Sequence, residues 1–423
     1  MKYYVRLFLF TSFAAFSIYA FYCLAAMLPR KPLYSVLTQK IPIDQDFKIN
    51  GERELERKDE ITKAENRQDL QSNGKEHELA LLRKITKSQI DGKTDEKHAG
   101  TLTRTPRRNL IILSPPRSGS SFLGKLFDSN SKIMYWFEPL RVVQKNLFHD
   151  HLSSDKQILS YKTDCINVIE STFKCDFTVL NNNTIAEYSK DDSRWASSAL
   201  ASRFLCPPAL AHLNRSSSCL PLSHAMLKNI CNAHNHTVVK ILIGRVPNDS
   251  IANLQELLVR RESHDVRLLH LVRDPRAIIY SVVQSVKWLN ETYLSKDFSL
   301  YVGRMCNRTV NNLRFGLSAP PSWLRGRFKV IRYEDLINNA IIISQELYKF
   351  ARFEWSASVE EWINDHNRPP RDAEQQGPYS LYRNVSEVID NWKNAPMDLI
   401  KVVEDNCGDL MHMLGYERLA YMK

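Results

Sequence analysis

The stretch NLIILSPPRSGSSF, residues 109–122, decides the fold. Asn109–Ser114 is a short apolar run of the length expected for a buried strand. Ser120–Asn130 fits a helix, with Phe122, Leu123, Leu126 and Phe127 on one side. Between them lies a loop centred on Arg117. Gly119 in that loop brings its backbone close to an anion or takes a φ closed to other residues. Ser118, Ser120 and Ser121 supply hydroxyls. The first helical turn supplies unpaired N–H groups and the positive end of the helix dipole. Arg117 adds a planar donor fork suited to a tetrahedral anion. The alternative is a tight turn with no ligand.

A second stretch repeats the design. LLHLVRDPRAIIYS, residues 268–281, is an apolar run, an Arg loop and a helix start. Pro275 suits a first helical position because its missing N–H would be unpaired there anyway. Asp274 is placed to cap that helix. Arg273 sits at the strand end, and Arg276 and Ser281 face a ligand if the helix crosses the same crevice. A local ion pair with a cap also explains Asp274 and Arg276, but not Arg273. Together the two loops read as two ends of a site for a nucleotide phosphorylated at both ends. Gly119 to Lys125 matches G-x-x-x-x-G-K, yet position 126 is Leu rather than the Ser or Thr that holds magnesium in a Walker loop. Gly124 also falls inside the predicted helix. That argues against kinase or ATPase chemistry, and no metal site is expected.

Working outward, Ile133–Phe137, Thr237–Ile243, Arg267–Val272 and Phe328–Arg332 are strand-like. Leu254–Glu262, Ala277–Leu289 and about Asn338–Phe350 are helix candidates. Residues 150–235 give no clear pattern. Alternating apolar strands and helices predict an α/β domain, a mostly parallel sheet with helices on both faces. Ligands in such sheets bind beyond the carboxyl ends of the strands, where both Arg loops fall.

The chain has 423 residues, 43% of them hydrophobic, enough for a sizeable core. Leu7–Leu28 is uncharged and reaches membrane-spanning length. It is longer than a usual signal-peptide core, which favours an uncleaved signal anchor over a cleaved signal. The expected layout is a short cytoplasmic tail (1–6), a transmembrane helix (7–28), a lumenal stem (29–105) and a lumenal domain (106–423). The stem is dense in mixed charge, with no Phe, Trp or Tyr between Phe47 and Phe122, too polar to fold alone. Sequons begin at Asn182, Asn214, Asn235, Asn248, Asn290, Asn307 and Asn384. Of eight Cys, Cys23 lies in the apolar segment; the others read as lumenal disulfides with at least one thiol left over. The net charge of +11 fits a polyanionic glycan or a phosphate-bearing cofactor, and nucleic acid is not expected as a partner.

The residues now carry a resemblance. PPRSGSSFLGKLF followed by WFEPL is similar to the 5′-phosphosulfate loop of Golgi carbohydrate sulfotransferases. LLHLVRDPRAIIYS resembles their 3′-phosphate motif. PSWLRGRFKVIRYEDL at 321–336 and CGDLMHMLGYERLA at 407–420 look closest to the chondroitin 6-O- and keratan sulfate members. Departures are the two prolines before Arg117, Tyr280 before Ser281, and the residues leading to Arg383 in YSLYRN (379–384). The resemblance implies a P-loop-NTPase-like sulfotransferase fold in a type II protein of the Golgi membrane, with a homo-oligomer possible. It implies 3′-phosphoadenosine 5′-phosphosulfate as donor and a glycan acceptor, glycosaminoglycan foremost, sulfated at a C6 hydroxyl of a hexose or N-acetylhexosamine. Arg117, Ser118, Gly119, Ser120, Ser121 and Phe122 would hold the 5′ end, and Arg273, Ser281 and Arg383 the rest of the nucleotide.

Glu138, in Trp136-Phe137-Glu138-Pro139, is the candidate base, as related lumenal sulfotransferases place a Glu after the phosphate-loop helix. Among apolar neighbours its pKa is expected to rise towards that of a useful base; a helix cap or a salt bridge is the alternative. Lys240, inside TVVKILI, is either an edge-strand lysine or a crevice lysine that stabilises the leaving oxygen beside Arg117. Arg332, Glu334 and Asp335 should organise loops, with a role at the acceptor as the alternative. His270 reads as core, and Trp392 and Tyr379 as core or as stacking platforms. Competing functions are a sulfotransferase for mucin-type N-acetylglucosamine or protein tyrosine, and a non-catalytic glycan-binding protein.

Overall fold

Five strands form one sheet: β1 (Arg108–Ser114), β2 (Ile133–Phe137), β3 (His236–Leu242), β4 (Asp265–Val272) and β5 (Phe328–Arg332). Their order is β2-β3-β1-β4-β5, and every pairing is parallel. The chain is described by a computed structural model over residues 107–147, 154–207, 219–259, 265–285, 293–367 and 389–419. Leu7–Leu28, the stem at 29–105, Tyr379–Asn384 with Arg383, Cys23 and the sequons at Asn214, Asn290 and Asn384 lie outside these residues. Among the described residues no helix is long and apolar enough to cross a membrane.

The helices that bear on the site are α1 (Ser120–Asp128), α2 (Leu140–Leu147), α3 (Ser154–Lys174), α4 (Pro275–Ser285), α5 (Lys296–Leu313), α6 (Tyr333–Asn338), α7 (Ala340–Ala351) and α8 (Met397–Asn406). β1 is central, and Leu110 to Leu113 have no exposed surface, which is why the run shows no polar alternation. Leu110 and Ile112 pack on one face with Phe122, Leu123 and Phe127 of α1 and Leu347 of α7. Ile111 and Leu113 pack on the other with Cys165, Ile166 and Ile169 of α3. Each such side chain contributes roughly 1.5–3 kcal/mol by leaving water. The predicted α/β sheet covered on both faces is therefore present.

Several boundaries differ. The helix expected over 338–350 is present as α7, and a short helix that was not expected, α6, precedes it across a break at Asn339 (φ −132°, ψ 51°). The helix expected at 254–262 is a 3₁₀ turn at Ile251–Leu254 followed by a short helix at Gln255–Val259. The unreadable stretch holds α3 and helices at Asn182–Lys190 and His224–Asn232.

Disulfides join Cys175 to Cys231, Cys206 to Cys219 and Cys306 to Cys407. Cys165 is a buried free thiol, the leftover that the cysteine count implied. At the entry to β1, the Arg107 guanidinium donates to Thr237 Oγ1 (2.9 Å), Cys231 O (2.8 Å) and His234 O (2.6 Å). The start of the domain is thus tied to a disulfide-bearing segment. Asn182, Asn235, Asn248 and Asn307 are all exposed.

Candidate active site

The loop after β1 bends through two left-handed residues, Arg117 (φ 60°) and Gly119 (φ 87°). At Gly119 a side chain is excluded: a Cβ would lie 2.2 Å from the Tyr333 ring. Among the described residues no side chain caps α1, so its first turn faces the loop with backbone donors. Ser118 is buried and its hydroxyl donates to Pro115 O (2.8 Å), bracing the loop. Ser120 is buried and Ser121 exposed. Phe122 is turned into the core against Trp362, and its N–H returns to Gly119 O (3.0 Å). Its side chain seats the helix rather than lining the loop. At the end of β1 the Ser114 hydroxyl is buried with no hydrogen-bond partner among the described residues.

The second loop comes directly against the first. Arg273 donates to Arg117 O (3.0 Å) and lies 4.9 Å over the Tyr333 ring. Arg117 Nε donates to Ser281 Oγ (3.0 Å). Residues assigned to opposite ends of one nucleotide thus meet where β1 and β4, adjacent strands, both end. Arg276 does not face this space. It pairs with Asp274 (2.7 Å) and Glu404 (2.8 Å) and stacks 3.7 Å from the Trp392 ring. The ion-pair reading of Asp274 and Arg276 holds, and the ligand-facing one does not. Asp274 also caps α4 by accepting from Arg276 N (2.8 Å). Trp392 is accordingly a core residue. Glu334 organises the loops as expected, accepting from Asp274 N (3.0 Å) and from the Tyr416 hydroxyl (2.7 Å). His270 is fully buried, and burial pushes its pKa down to about 4, so it stays neutral.

Glu138 follows β2 at a left-handed φ of 47°. Its N–H donates to Lys240 O (2.8 Å), extending the β2–β3 ladder by one rung. Its side chain is held from two sides, Oε1 by Lys240 Nζ and Oε2 by the Arg245 guanidinium. Lys240 lies on β3, an inner strand flanked by β2 and β1, so the edge-strand reading is overturned. Its ammonium sits 4.4 Å from the Phe137 ring. The raised pKa expected for Glu138 is also overturned. Burial alone would raise it, but Lys240 and Arg245 outweigh burial and hold the carboxyl at about 2. Burial pulls the Lys240 pKa down, against the attraction of Glu138.

Residues 109–357 match the model of the sulfotransferase family. The chain belongs to that family. Over 335 residues the sulfotransferase is 30% identical to carbohydrate sulfotransferase 3 of Mus musculus, covering 74% of this chain and 68% of that protein. It is 27% identical over 355 residues to carbohydrate sulfotransferase 1 of Danio rerio, covering 78% and 82%. It is 29% identical over 337 residues to carbohydrate sulfotransferase 6 of Homo sapiens, covering 73% and 81%. Among the described residues no group of three or more His, Cys, Asp or Glu could hold a metal ion.

Two parts of the candidate site were not read from the sequence. Tyr333 was passed over because it lies within a motif quoted for its charged neighbours, although it packs beneath both Arg loops. Arg245 lies in a 3₁₀ turn, Ile243–Arg245, just past β3. No periodic pattern marks a lone arginine there as buried. Its distance of five residues from Lys240 is the only hint.

Proposed function

We propose that this sulfotransferase moves a sulfuryl group from 3′-phosphoadenosine 5′-phosphosulfate to the C6 hydroxyl of a hexose or N-acetylhexosamine in a glycan, glycosaminoglycan of the chondroitin or keratan type foremost. The observation that carries the reading is the junction of the two loops through Arg117, Arg273 and Ser281. Two arginines and a hydroxyl at one crevice suit a nucleotide anionic at both its 5′ and 3′ ends. The buried Ser114 hydroxyl and the first turn of α1, without a side-chain partner or cap among the described residues, add donors on the 5′ side. The donor supplies an activated sulfur whose bridging oxygen is the leaving group. The relatives' names motivate the carbohydrate acceptor, and the net charge of +11 favours an anionic one.

Glu138 stands two strands from β1, about 10 Å at ordinary strand spacing, with Lys240 on the strand between. That leaves room for the transferred group between phosphate loop and carboxylate. Glu138 accepts the acceptor's hydroxyl proton while the acceptor oxygen bonds to sulfur. Lys240 and Arg117 stabilise negative charge on the bridging oxygen as its bond to sulfur breaks. The products are a sulfate ester, adenosine 3′,5′-bisphosphate and one proton on Glu138. Localisation follows the same reading: a Golgi membrane protein with its catalytic domain in the lumen, where disulfides persist. The deciding experiment offers sulfate-labelled donor with a panel of chondroitin, keratan-type, mucin-type and tyrosine-peptide acceptors, followed by linkage analysis. Labelled 6-sulfated hexosamine or galactose is expected. Glycan binding without transfer to any acceptor would sink the enzyme reading, and label on tyrosine peptide alone would replace the acceptor.

A further inference from the structure

The carboxylate of Glu138 has two cationic partners, and the reaction proposed above needs one of them elsewhere. Lys240 cannot neutralise the leaving oxygen while it is held on Glu138 Oε1. The two cations differ in freedom. Lys240 is a point charge on a flexible four-carbon stem, free to swing once another anion is offered. Arg245 is fixed. Its Nε donates to Gln144 Oε1 on α2 (3.1 Å), and its own carbonyl accepts from the Tyr161 hydroxyl on α3 (2.6 Å). Its guanidinium therefore reaches Glu138 Oε2 from a braced position. The side chains of Glu138, Lys240 and Arg245 are only 10%, 2% and 9% exposed, so water cannot substitute for a lost partner.

We propose that Arg245 is a positioning residue for Glu138: it keeps the carboxylate in place and ionised when Lys240 turns to the leaving oxygen. The division of labour follows from the two carboxylate oxygens. Oε1, vacated by Lys240, becomes the atom that takes the acceptor's proton. Oε2 remains on Arg245, so the carboxylate neither swings away nor takes a proton from solvent beforehand. Tyr135 of β2 is a titratable group that feels the charge of Glu138; its hydroxyl is kept protonated by burial, reinforced by Asp128 and Glu138. It cannot replace a lost cation. The low pKa of Glu138 in the resting arrangement is consistent with this account but does not by itself distinguish the two cations.

The inference rests on the sulfuryl-transfer reading, so the first measurement is transfer by the wild-type enzyme. Its absence on every acceptor refutes that reading and leaves Arg245 with no reaction to serve. With transfer established, Arg245→Met and Arg245→Lys are compared for binding of adenosine 3′,5′-bisphosphate, for kcat and acceptor KM, and for the pH dependence of kcat. Arg245→Met should bind the bisphosphate within about threefold of wild type and lose kcat at least about thirtyfold, somewhat less than the roughly 10²–10⁴-fold for removing a positioned acid or base outright. Its acid limb should move up by a pH unit or more, and Arg245→Lys should bring the limb back. A kcat within threefold of wild type, or a fall in kcat with the acid limb unmoved, overturns the proposal. If Arg245→Met is not folded, as judged by loss of bisphosphate binding, Gln144→Leu decides. That change frees Arg245 without removing a charge. A smaller shift of the limb in the same direction supports the proposal, and an unmoved limb with normal kcat overturns it.

Discussion

Glu138, Arg117 and Gly119 all hold left-handed backbone conformations around the crevice. For the two non-glycine residues that costs free energy, a cost that tends to concentrate at functional sites. For Gly119 the geometry is stricter, because the Tyr333 ring occupies the place of any Cβ. Gly119→Ala should therefore weaken adenosine 3′,5′-bisphosphate binding at least tenfold by calorimetry, with far-UV circular dichroism unchanged. Glu138→Gln should leave that binding nearly intact and lower kcat by about 10²–10⁴-fold, the range for a positioned base. Normal turnover in this variant would remove Glu138 as the base. The same residue sets a pH signature of stability. Its carboxyl lies at about 2 in the folded protein against 4.5 for an unperturbed Glu. Its contribution is then fully present above the unperturbed value and lost as pH falls through about 2. Denaturation midpoints of wild type and Glu138→Gln should differ most near neutrality and converge as pH falls from about 5 towards 2. The lysine inside an apolar strand was legible as an anomaly. That it sits beside Glu138 was not, because 102 residues separate the pair and only strand pairing unites them.

Among elements, α4 shows how a helix is aimed. Pro275 opens it, Asp274 caps it, and Arg276 links that cap to Glu404 of α8 and to the Trp392 ring. Ser281 is thereby carried to Arg117 on the neighbouring strand's loop. Asp274→Ala removes a cap and leaves a nearly buried guanidinium with one carboxylate in place of two. A loss of about 2–4 kcal/mol in urea denaturation is expected, from capping and buried-charge terms together. The strand cores and helix starts of this region could be read from the sequence because Pro, Asp and apolar runs act locally. The strand order could not, since it depends on pairings such as Leu110 with Val238 and Ile112 with Leu269 across long separations. The short helix α6 was not read because its six residues, Tyr333–Asn338, are too few for a periodic pattern to show.

Across the whole molecule, covalent links secure what the sheet does not reach. The Cys306–Cys407 disulfide joins α5 to the end of α8, 101 residues apart, within the cluster that backs α4. Replacing both cysteines by Ser should lower the stability to urea by about 2–4 kcal/mol, the usual range for a native disulfide. The loss should be absent when both proteins are compared under reducing conditions. That the chain would carry disulfides, and spare a thiol, was legible from cysteine number and setting; the pairing depended on the fold. A mechanical consequence follows from Arg107. Tension applied to the chain upstream would run straight along β1 into the loop that carries Arg117. The three bonds from the Arg107 guanidinium branch that path, sending part of the load into β3 and the segment pinned by Cys175–Cys231. The crevice is thereby insulated from pulling on its own leading end.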